Sequence, residues 1–366
     1  MRVLVVNAGS SSLKLDLLDG DDRTVAAREL SAPDAGVDDR ELGEAIASGL
    51  GDADVAAHRI VHGGDRFHDA VRIDGEVEAQ LRALSDLAPL HQPESLAVLD
   101  AVSAALPGVP AVACFDTAFH AGLPPAAATY ALPAEWRARW PIRRYGFHGL
   151  SHAWVSRRAP ALLGPGVPAA RIVSCHLGAG ASLCAIADGR SVDTTMGFTP
   201  LEGLVMATRS GSVDPGLLLW LLEHTPLSER EMGDALEHRS GLRGLAGTPD
   251  LREVIERAGR DDADAVLALG VLEHRLRASI AAMAAALGGL DVLVFTGGVG
   301  EHAPLVRAHA AGGLRFLGVG LDEAANEAAT ADADITATGA AVRTLVVTAR
   351  EDLEMARQAR AVVASG

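Results

Sequence analysis

The feature that most constrains how this 366-residue chain can fold is a pattern that occurs twice. Arg2-Val-Leu-Val-Val-Asn7-Ala-Gly9-Ser-Ser-Ser12-Leu13 runs on to Asp19-Gly20, and Arg171-Ile-Val-Ser-Cys-His176-Leu-Gly178-Ala-Gly180-Ala-Ser182-Leu183 runs on to Asp188-Gly189. Each copy is an apolar strand, a turn of small residues, and a second apolar strand ending in Asp-Gly, with a one-residue slip inside the turn. This reads as one strand–turn–strand hairpin used once in each of two domains. The length agrees, because a single hydrophobic core rarely serves a chain of this size.

A third apolar strand, Val292–Phe295, runs into Thr296-Gly297-Gly298-Val299-Gly300-Glu301. Helical periodicity covers Asp86–Leu106, Gly216–His224, Ala263–Leu287 and the terminal stretch Asp352–Ser365. Strands alternating with helices predict an α/β protein. With 39 glycines, 49% hydrophobic and only 4% aromatic residues, the composition suits helices packed closely on sheets. The Pro/Ala-rich stretch Gly122–Pro133 marks a boundary region, and Gly164–Pro168 marks another break. The expected division is an N-terminal domain over 1–118 joined by the C-terminal helix 353–366, and a C-terminal nucleotide-binding domain over 119–352.

The formal net charge of −16 and the lack of any long Lys/Arg run argue against nucleic acid as a partner. The apolar stretch Ala263–Leu287 is broken by Glu273, His274, Arg275 and Arg277, so no membrane span is expected. The first residues turn polar at Asn7, too early for a signal peptide, and a cytoplasmic protein is expected. Cys114, Cys175 and Cys184 have neither disulfide nor zinc spacing and read as small buried hydrophobes. Lys14 is the only lysine among 32 basic residues. A lone ammonium among arginines suggests a position that needs a compact point charge.

Three strand-bounded turns of small residues point to a bound nucleotide. Asn7-Ala-Gly-Ser10-Ser-Ser12-Leu-Lys14 offers backbone N–H groups, hydroxyls and an ammonium to a phosphate, with Asn7 available to a metal ion. It is neither a Walker loop nor a G-x-G-x-x-G turn. His176–Ser182 is a second phosphate-embracing turn, and Gly297–Gly300 suits the flat face of an adenine or ribose. Positive charge stands in short contexts. Arg59 in His58-Arg-Ile-Val-His62-Gly-Gly64 and Arg209 in Met206-Ala-Thr-Arg-Ser-Gly-Ser-Val-Asp214 can each grip a carboxylate or phosphate, or form a structural ion pair. His148 in Tyr145-Gly-Phe-His-Gly-Leu-Ser-His152 can steady charge on a transferring phosphoryl group. Asp116 and Glu351 each follow an apolar strand, where carboxylates commonly hold Mg²⁺ directly or through water.

Taken in order, Asn-x-Gly-Ser-Ser-Ser-x-Lys, His-Arg-x-Val-His-Gly-Gly, Phe-Asp-Thr-Ala-Phe-His, Arg-Tyr-Gly-Phe-His-Gly-x-Ser-His and Met-Gly-Phe-Thr-Pro-Leu-Glu-Gly-Leu with Thr-Arg-Ser-Gly make the chain resemble the acetate kinases, from Asn7 to Met355. The resemblance implies two duplicated ribonuclease-H-like domains of the actin, hexokinase and heat-shock ATPase type around a nucleotide cleft. It also implies hinge closure, a homodimer, ATP/ADP and acetate/acetyl phosphate as substrates, Mg²⁺ (or Mn²⁺) as cofactor, and a place in acetyl-CoA biosynthesis. By position, Asn7 and Glu351 match metal sites and Lys14 with the Ser10 and Ser12 turn matches the nucleotide phosphates. Arg59 matches the carboxylate-binding arginine, and Val61, Leu90, Phe147 and Pro200 match the pocket for the acid's methyl end. Asp116, His148 and Arg209 match catalytic positions. His176, Leu177, Gly178, Ala179 and Gly180, then Asp250, Leu251 and Arg252, then Gly298, Val299, Gly300, Glu301 and His302 match nucleotide-binding stretches. Two positions depart from the pattern: Ala179 and His302 stand where the family usually has asparagine. The segment between Lys14 and Arg59 is also shorter than usual.

If the acceptor is a carboxylate, it is already ionised near neutral pH and needs no general base. Asp116 is then expected to orient Arg59 or a metal-bound water. The alternatives are a propionate or butyrate kinase, a non-enzymatic actin-like switch, and a sugar kinase. The switch needs no Arg59, Arg209 and His148 set, and the sugar kinase would need a polar hydroxyl pocket.

Overall fold

The fold is described from a computed structural model, over residues 1–9, 12–31, 39–85, 92–167 and 169–365. The strands are β1 (Val3–Ala8), β2 (Ser12–Leu18), β3 (Thr24–Ser31), β4 (Val55–Ile60), β5 (Val71–Arg72), β6 (Ala111–Phe115), β7 (Arg171–Leu177), β8 (Ala181–Ala187), β9 (Arg190–Thr194), β10 (Val292–Thr296), β11 (Ala333–Asp334) and β12 (Arg343–Val346). They form two six-stranded sheets, in the orders β3-β2-β1-β4-β6-β5 and β11-β12-β10-β7-β8-β9. Adding six to each strand number of the first sheet gives the second, read from the other edge. The pairing directions match as well. β1, β4 and β6 are parallel neighbours, as are β7, β10 and β12, and each set carries an antiparallel hairpin on one side and a short antiparallel edge strand on the other. The doubled hairpin in the sequence is therefore the visible part of a whole repeated sheet.

The chain divides into two compact units. The first holds Met1–Ala121, Phe147–Trp154 and Arg350–Gly366, and the second holds Gly122–Gly146 and Val155–Ala349. The break at Ala121/Gly122 falls at the start of the expected Pro/Ala-rich boundary. Contiguous halves would not place Phe147–Trp154 in the first unit. They are there because the Gly149 N–H donates to the Asp116 carbonyl at 2.8 Å, and Leu150 packs in the core with Val112 and Cys114.

In the first unit the strand period of two sorts the core. Val3, Val5, Val55, Ala57, Val112 and Cys114 face the C-terminal helix Glu351–Ser365, meeting Met355, Ala356 and Ala359. Leu4, Val6 and Ala56 face the other way, against Val98 and Val102 of the Gln92–Ala105 helix. A sheet covered on both faces explains why β1, β4 and β6 are almost continuously apolar. Continuing the first alternation by one step puts Asn7, Arg59 and Asp116 on the C-terminal-helix side, at the carboxyl ends of three adjacent parallel strands. In open α/β sheets this is where ligands bind. Among the described residues, no helix is long and apolar enough to cross a membrane.

Three histidines of this unit, His58, His62 and His120, are fully or almost fully buried. Burial pulls each imidazole down to about 4, against only a small opposing hydrogen bond from Phe147 at His120. The unfolded chain therefore takes up protons below about pH 6.5 that the folded chain refuses until about pH 4. Their stability contribution is complete above about pH 6.5 and is lost as pH falls toward 4. The sharpest test is His58, whose two ring nitrogens have no hydrogen-bond partner among the described residues. Between pH 7.5 and 5, His58→Leu is expected to lose about 2 kcal/mol less unfolding free energy than the natural chain in denaturant titrations. Equal losses would contradict the reading.

Candidate active site

The β1–β2 hairpin pairs Asn7 directly with Lys14 and closes through a Gly9 N–H to Ser12 carbonyl bond of 2.8 Å. Its counterpart closes one residue sooner, from Gly178 N–H to the Gly180 carbonyl at 3.0 Å, which is the slip visible in the sequence. Lys14 is exposed on β2, and its charge reaches Asp16 on the same face. Burial and nearby Asp352 raise the Asp16 carboxyl, while Arg350 and Lys14 lower it. Ser12 begins β2; Ser10 lies outside the described residues.

Arg59 is the centre of the first unit's cluster. Asp116 takes one edge of its guanidinium: Nε donates to Oδ1 at 3.3 Å and Oδ2 at 3.1 Å, and Nη2 to Oδ2 at 2.6 Å. Nη1 rests on two neutral acceptors, Asn7 Oδ1 at 3.4 Å and the Ala8 carbonyl at 3.2 Å. A guanidinium has a second fork, Nη1 and Nη2, and only its Nη2 arm is shared with a carboxylate. Asp116 is 1% exposed, so its pairing with Arg59 is well shielded. Burial works against the Arg59 charge, but Asp116 and Glu351 outweigh it and hold the guanidinium protonated.

Glu351 opens the C-terminal helix beside this pair. Burial raises its carboxyl most; Arg59 lowers it, Asp116 raises it, and a hydrogen bond with Asn7 lowers it. Far from being a surface acid, Glu351 belongs to the cluster through both Arg59 and Asn7.

His148 precedes the Gly149–Leu163 helix with φ at +56°, a conformation few residues other than glycine adopt, and its carbonyl accepts the His152 N–H at 3.0 Å. The next residue must be glycine. A Cβ on Gly149 would stand 2.2 Å from the Asp116 carbonyl oxygen. One backbone contact thus ties the strand end bearing Asp116 to the turn bearing His148. Phe147 is buried edge-on to His62 at 5.6 Å, and its carbonyl meets His120 Nε2 at 3.1 Å. Val61 follows β4 and is half-buried; Leu90 lies outside the described residues.

The second unit gathers the nucleotide stretches. A cavity of about 380 Å³ is walled by Leu177, Gly178 and Ala179 of the hairpin, by Asp250, Leu251 and Arg252, and by Gly298, Val299 and His302. Leu204, Val205, Met206, Leu272 and Leu276 complete its largely apolar wall. Such a lining suits a planar base better than phosphate groups. Ala179 and His302, the two departures from the family pattern, both stand on this wall. The sequence did not single out the Leu204–Met206 and Leu272–Leu276 walls, because their side chains carry no polar chemistry. The Ala263–Ala286 helical period was the available signal for the latter.

His176, Gly180, Gly300 and Glu301 are not on the cavity wall. His176 pairs within the sheet with Thr296 and Ser182. The Glu301 carboxylate accepts from Gly297 N–H at 3.0 Å and Ala349 N–H at 2.9 Å, so it holds the turn's backbone. Gly297–Gly300 winds into a short helix, Gly297–His302, that brings Gly298 and Val299 to the cavity wall. Asp250 caps the Leu251–Ala258 helix and is paired with Arg252 at 2.7 Å, which brings its carboxyl down to about 2. Arg209 also lies in this unit. Its Nε meets Glu237 at 3.1 Å and its Nη1 meets the Pro200 carbonyl at 3.4 Å.

Comparison with known proteins is consistent along the chain. The model of the Acetokinase family matches residues 38–357. The acetate kinase of Dictyoglomus thermophilum is 41% identical over 396 aligned positions, and that of Clavibacter michiganensis subsp. michiganensis 44% over 392, each covering 99% of both chains. Among solved structures, Porphyromonas gingivalis acetate kinase superposes with a TM-score of 0.89 at 35% identity. A propionate kinase from Francisella tularensis subsp. tularensis SCHU S4 does so at 0.91 and 32%; each comparison covers 99% of both chains.

Gly149→Ala is expected to keep the fold while displacing the Asp116 backbone. Steady-state turnover should then fall between about tenfold and a hundredfold if Asp116 positions the site, because a ~1 Å misplacement can cost about 10²-fold. The KM for ATP should stay within about twofold if the nucleotide is bound in the second unit. Unchanged turnover would show that this backbone contact does not set the site.

Proposed function

The chain belongs to the acetokinase family, and on that premise we propose that it catalyses reversible Mg²⁺-dependent phosphoryl transfer between ATP and acetate, giving acetyl phosphate and ADP by direct in-line transfer. The observation that carries this reading is the Arg59 guanidinium, held by Asp116 along its Nε/Nη2 edge and by only neutral acceptors at Nη1. Asp116 fixes one edge, and the Nη1/Nη2 edge suits a small carboxylate. The acid's oxygen attacks as an anion, so Asp116 serves as the holder of Arg59 and needs no proton-accepting role. Val61, Phe147, Leu90 and Pro200 are read as contacts for the acid's apolar end.

Attacker and donor are both anionic, so the barrier is chiefly repulsion, and positioned cations lower it. Arg59, His148 and Arg209 are the protein groups assigned to this work. Lys14 and the Gly9–Ser12 turn are assigned to phosphate, and the cavity beside Ala179 and Val299 to the base. The oxygen donors of Asn7 and Glu351 fit Mg²⁺, which characteristically takes few protein carboxylates and completes its shell with phosphate and water. Among the described residues, no group of three or more His, Cys, Asp or Glu is gathered as a dedicated metal cage. When bound, the cation supplies charge neutralisation for the phosphates.

Propionate is the second acid to consider, because a propionate kinase is among the similar structures. Hydroxylamine trapping with acetate, propionate and butyrate, each with ATP and other phosphoryl donors, tests both. The expected result is acetyl hydroxamate with ATP, and a kcat/KM for propionate lower by about tenfold, since one methylene is worth ~1–3 kcal/mol. No trapped acyl phosphate from any of the three acids would overturn the proposal.

The same reading makes the enzyme a cytoplasmic homodimer. The Pro215–His224 helix carries Leu217 (48% exposed), Leu219 (62%) and Trp220 (53%), and none of its residues is buried. Such an apolar face is suited to a second copy. Sedimentation should show a dimer that Leu219→Glu with Trp220→Glu converts to monomer; a monomeric natural chain would refute it.

A further inference from the structure

The block Met196-Gly-Phe-Thr-Pro200-Leu-Glu-Gly203 is part of the family resemblance, yet the proposed chemistry uses only its Pro200. The structure shows what the rest of the block is tied to. Glu202 is the shared acceptor of two side chains from the preceding segment. Tyr130 Oη donates to its Oε2 at 2.6 Å, and Arg144 Nη2 to its Oε1 at 2.8 Å. Arg144 also lies over the Tyr130 ring, 5.6 Å from its centroid. Both partners then reach past Glu202 to the loop's backbone. Arg144 Nη1 donates to the Thr195 and Met196 carbonyls at 3.2 and 3.0 Å, and Tyr130 Oη accepts from the Phe198 N–H at 2.9 Å.

The loop leaves no room for a side chain at Gly197. A Cβ on Gly197 would stand 1.7 Å from Glu202 Oε2 and 2.2 Å from Tyr130 Oη. The far end is closed by Gly203 and Ser212, which exchange two hydrogen bonds of 3.1 and 3.0 Å. What this construction presents is the Pro200 carbonyl, and that carbonyl accepts from Arg209 Nη1. Glu237 holds the opposite side of the same guanidinium through Nε. The side chains of Arg144 and Glu202 are 17% and 34% exposed, so the pair is partly shielded from solvent.

We infer that Glu202, with Tyr130 and Arg144, is a positioning residue for the phosphoryl transfer: it fixes the 195–203 loop so that the Pro200 carbonyl and Glu237 together aim the Arg209 guanidinium. The inference rests on the proposed role of Arg209 and deepens it. Two charge-assisted bonds converge on one carboxylate, an arrangement that sets geometry more sharply than a single neutral bond. An arginine that acts by orientation loses part of its effect when misaimed by even ~1 Å.

The test compares Tyr130→Phe, Glu202→Gln, Arg209→Ala and the Glu202→Gln/Arg209→Ala double variant in the full-length enzyme with acetate and ATP. Arg209→Ala should lower kcat by ~10³, as removal of an arginine finger does. Tyr130→Phe and Glu202→Gln should each lower kcat about tenfold, with the KM for ATP within about twofold. Glu202→Gln should add almost nothing once Arg209 is gone, which a merely structural role would not produce. Fully multiplicative effects, or full kcat in Tyr130→Phe and Glu202→Gln with Arg209→Ala impaired, would overturn the inference and leave the role of Arg209 intact. An unimpaired Arg209→Ala would overturn the role of Arg209, and the inference with it. Tyr130→Phe removes a single hydroxyl and decides the matter if Glu202→Gln does not fold.

Discussion

The Arg59–Asp116 pair is the interaction on which the first unit's site depends. Both charges lie at the ends of parallel strands, largely withdrawn from water, and neither is tolerable there alone. Removing one partner of a buried pair typically costs ~3–5 kcal/mol, because the remaining charge is uncompensated. The pair also has a direction. Asp116 occupies the Nε/Nη2 edge, so the outward fork of the arginine has a fixed orientation. Asn7 and Glu351 are then placed by the same constraint, one through the Arg59 Nη1 contact and the other through the charge of Arg59 and the Asn7 hydrogen bond.

Duplication explains how one fold supplies two kinds of chemistry. The two sheets share strand order and pairing, and their first hairpins each close through a glycine N–H. In the first unit the hairpin carries Asn7 and Lys14, cross-strand partners with polar ends. In the second unit the corresponding strands carry His176 and Ser182 into the sheet, and the turn residues Gly178 and Ala179 help to wall an apolar cavity. The backbone frame is common to both; side-chain length and polarity at a few turn positions separate the two uses.

Much of this was legible in the sequence where the signal was local. The doubled hairpin, the strand at Val292, the terminal helix and the buried cysteines follow from periodicity and turn residues. The motif blocks brought out Arg59, Asp116, His148 and Arg209. Glu351 was harder to read, because strand-end carboxylates are commonly solvated, and only its burial against Arg59 and Asn7 reveals its company. Glu301 shows the reverse. It stands in a nucleotide-like stretch, yet its carboxylate accepts backbone N–H groups of Gly297 and Ala349. Glu202 stands in a motif block, but neither it nor Tyr130 and Glu237 shows in sequence the partner it will meet across 72 or 28 positions of chain.

Local sequence sets the elements, the repetition and the residue types available for handling anions. These are set by short-range rules: the alternation of strand residues, the period of helices, and the steric freedom of small residues in turns. Packing decides which edge of Arg59 is taken, that Gly149 must lack a side chain to pass the Asp116 carbonyl, and that Gly178, Asp250 and Val299 share the wall of an apolar cavity. Those outcomes depend on distances between residues far apart in sequence. No local preference encodes such a distance, and it is fixed only when the sheets and their covering helices pack.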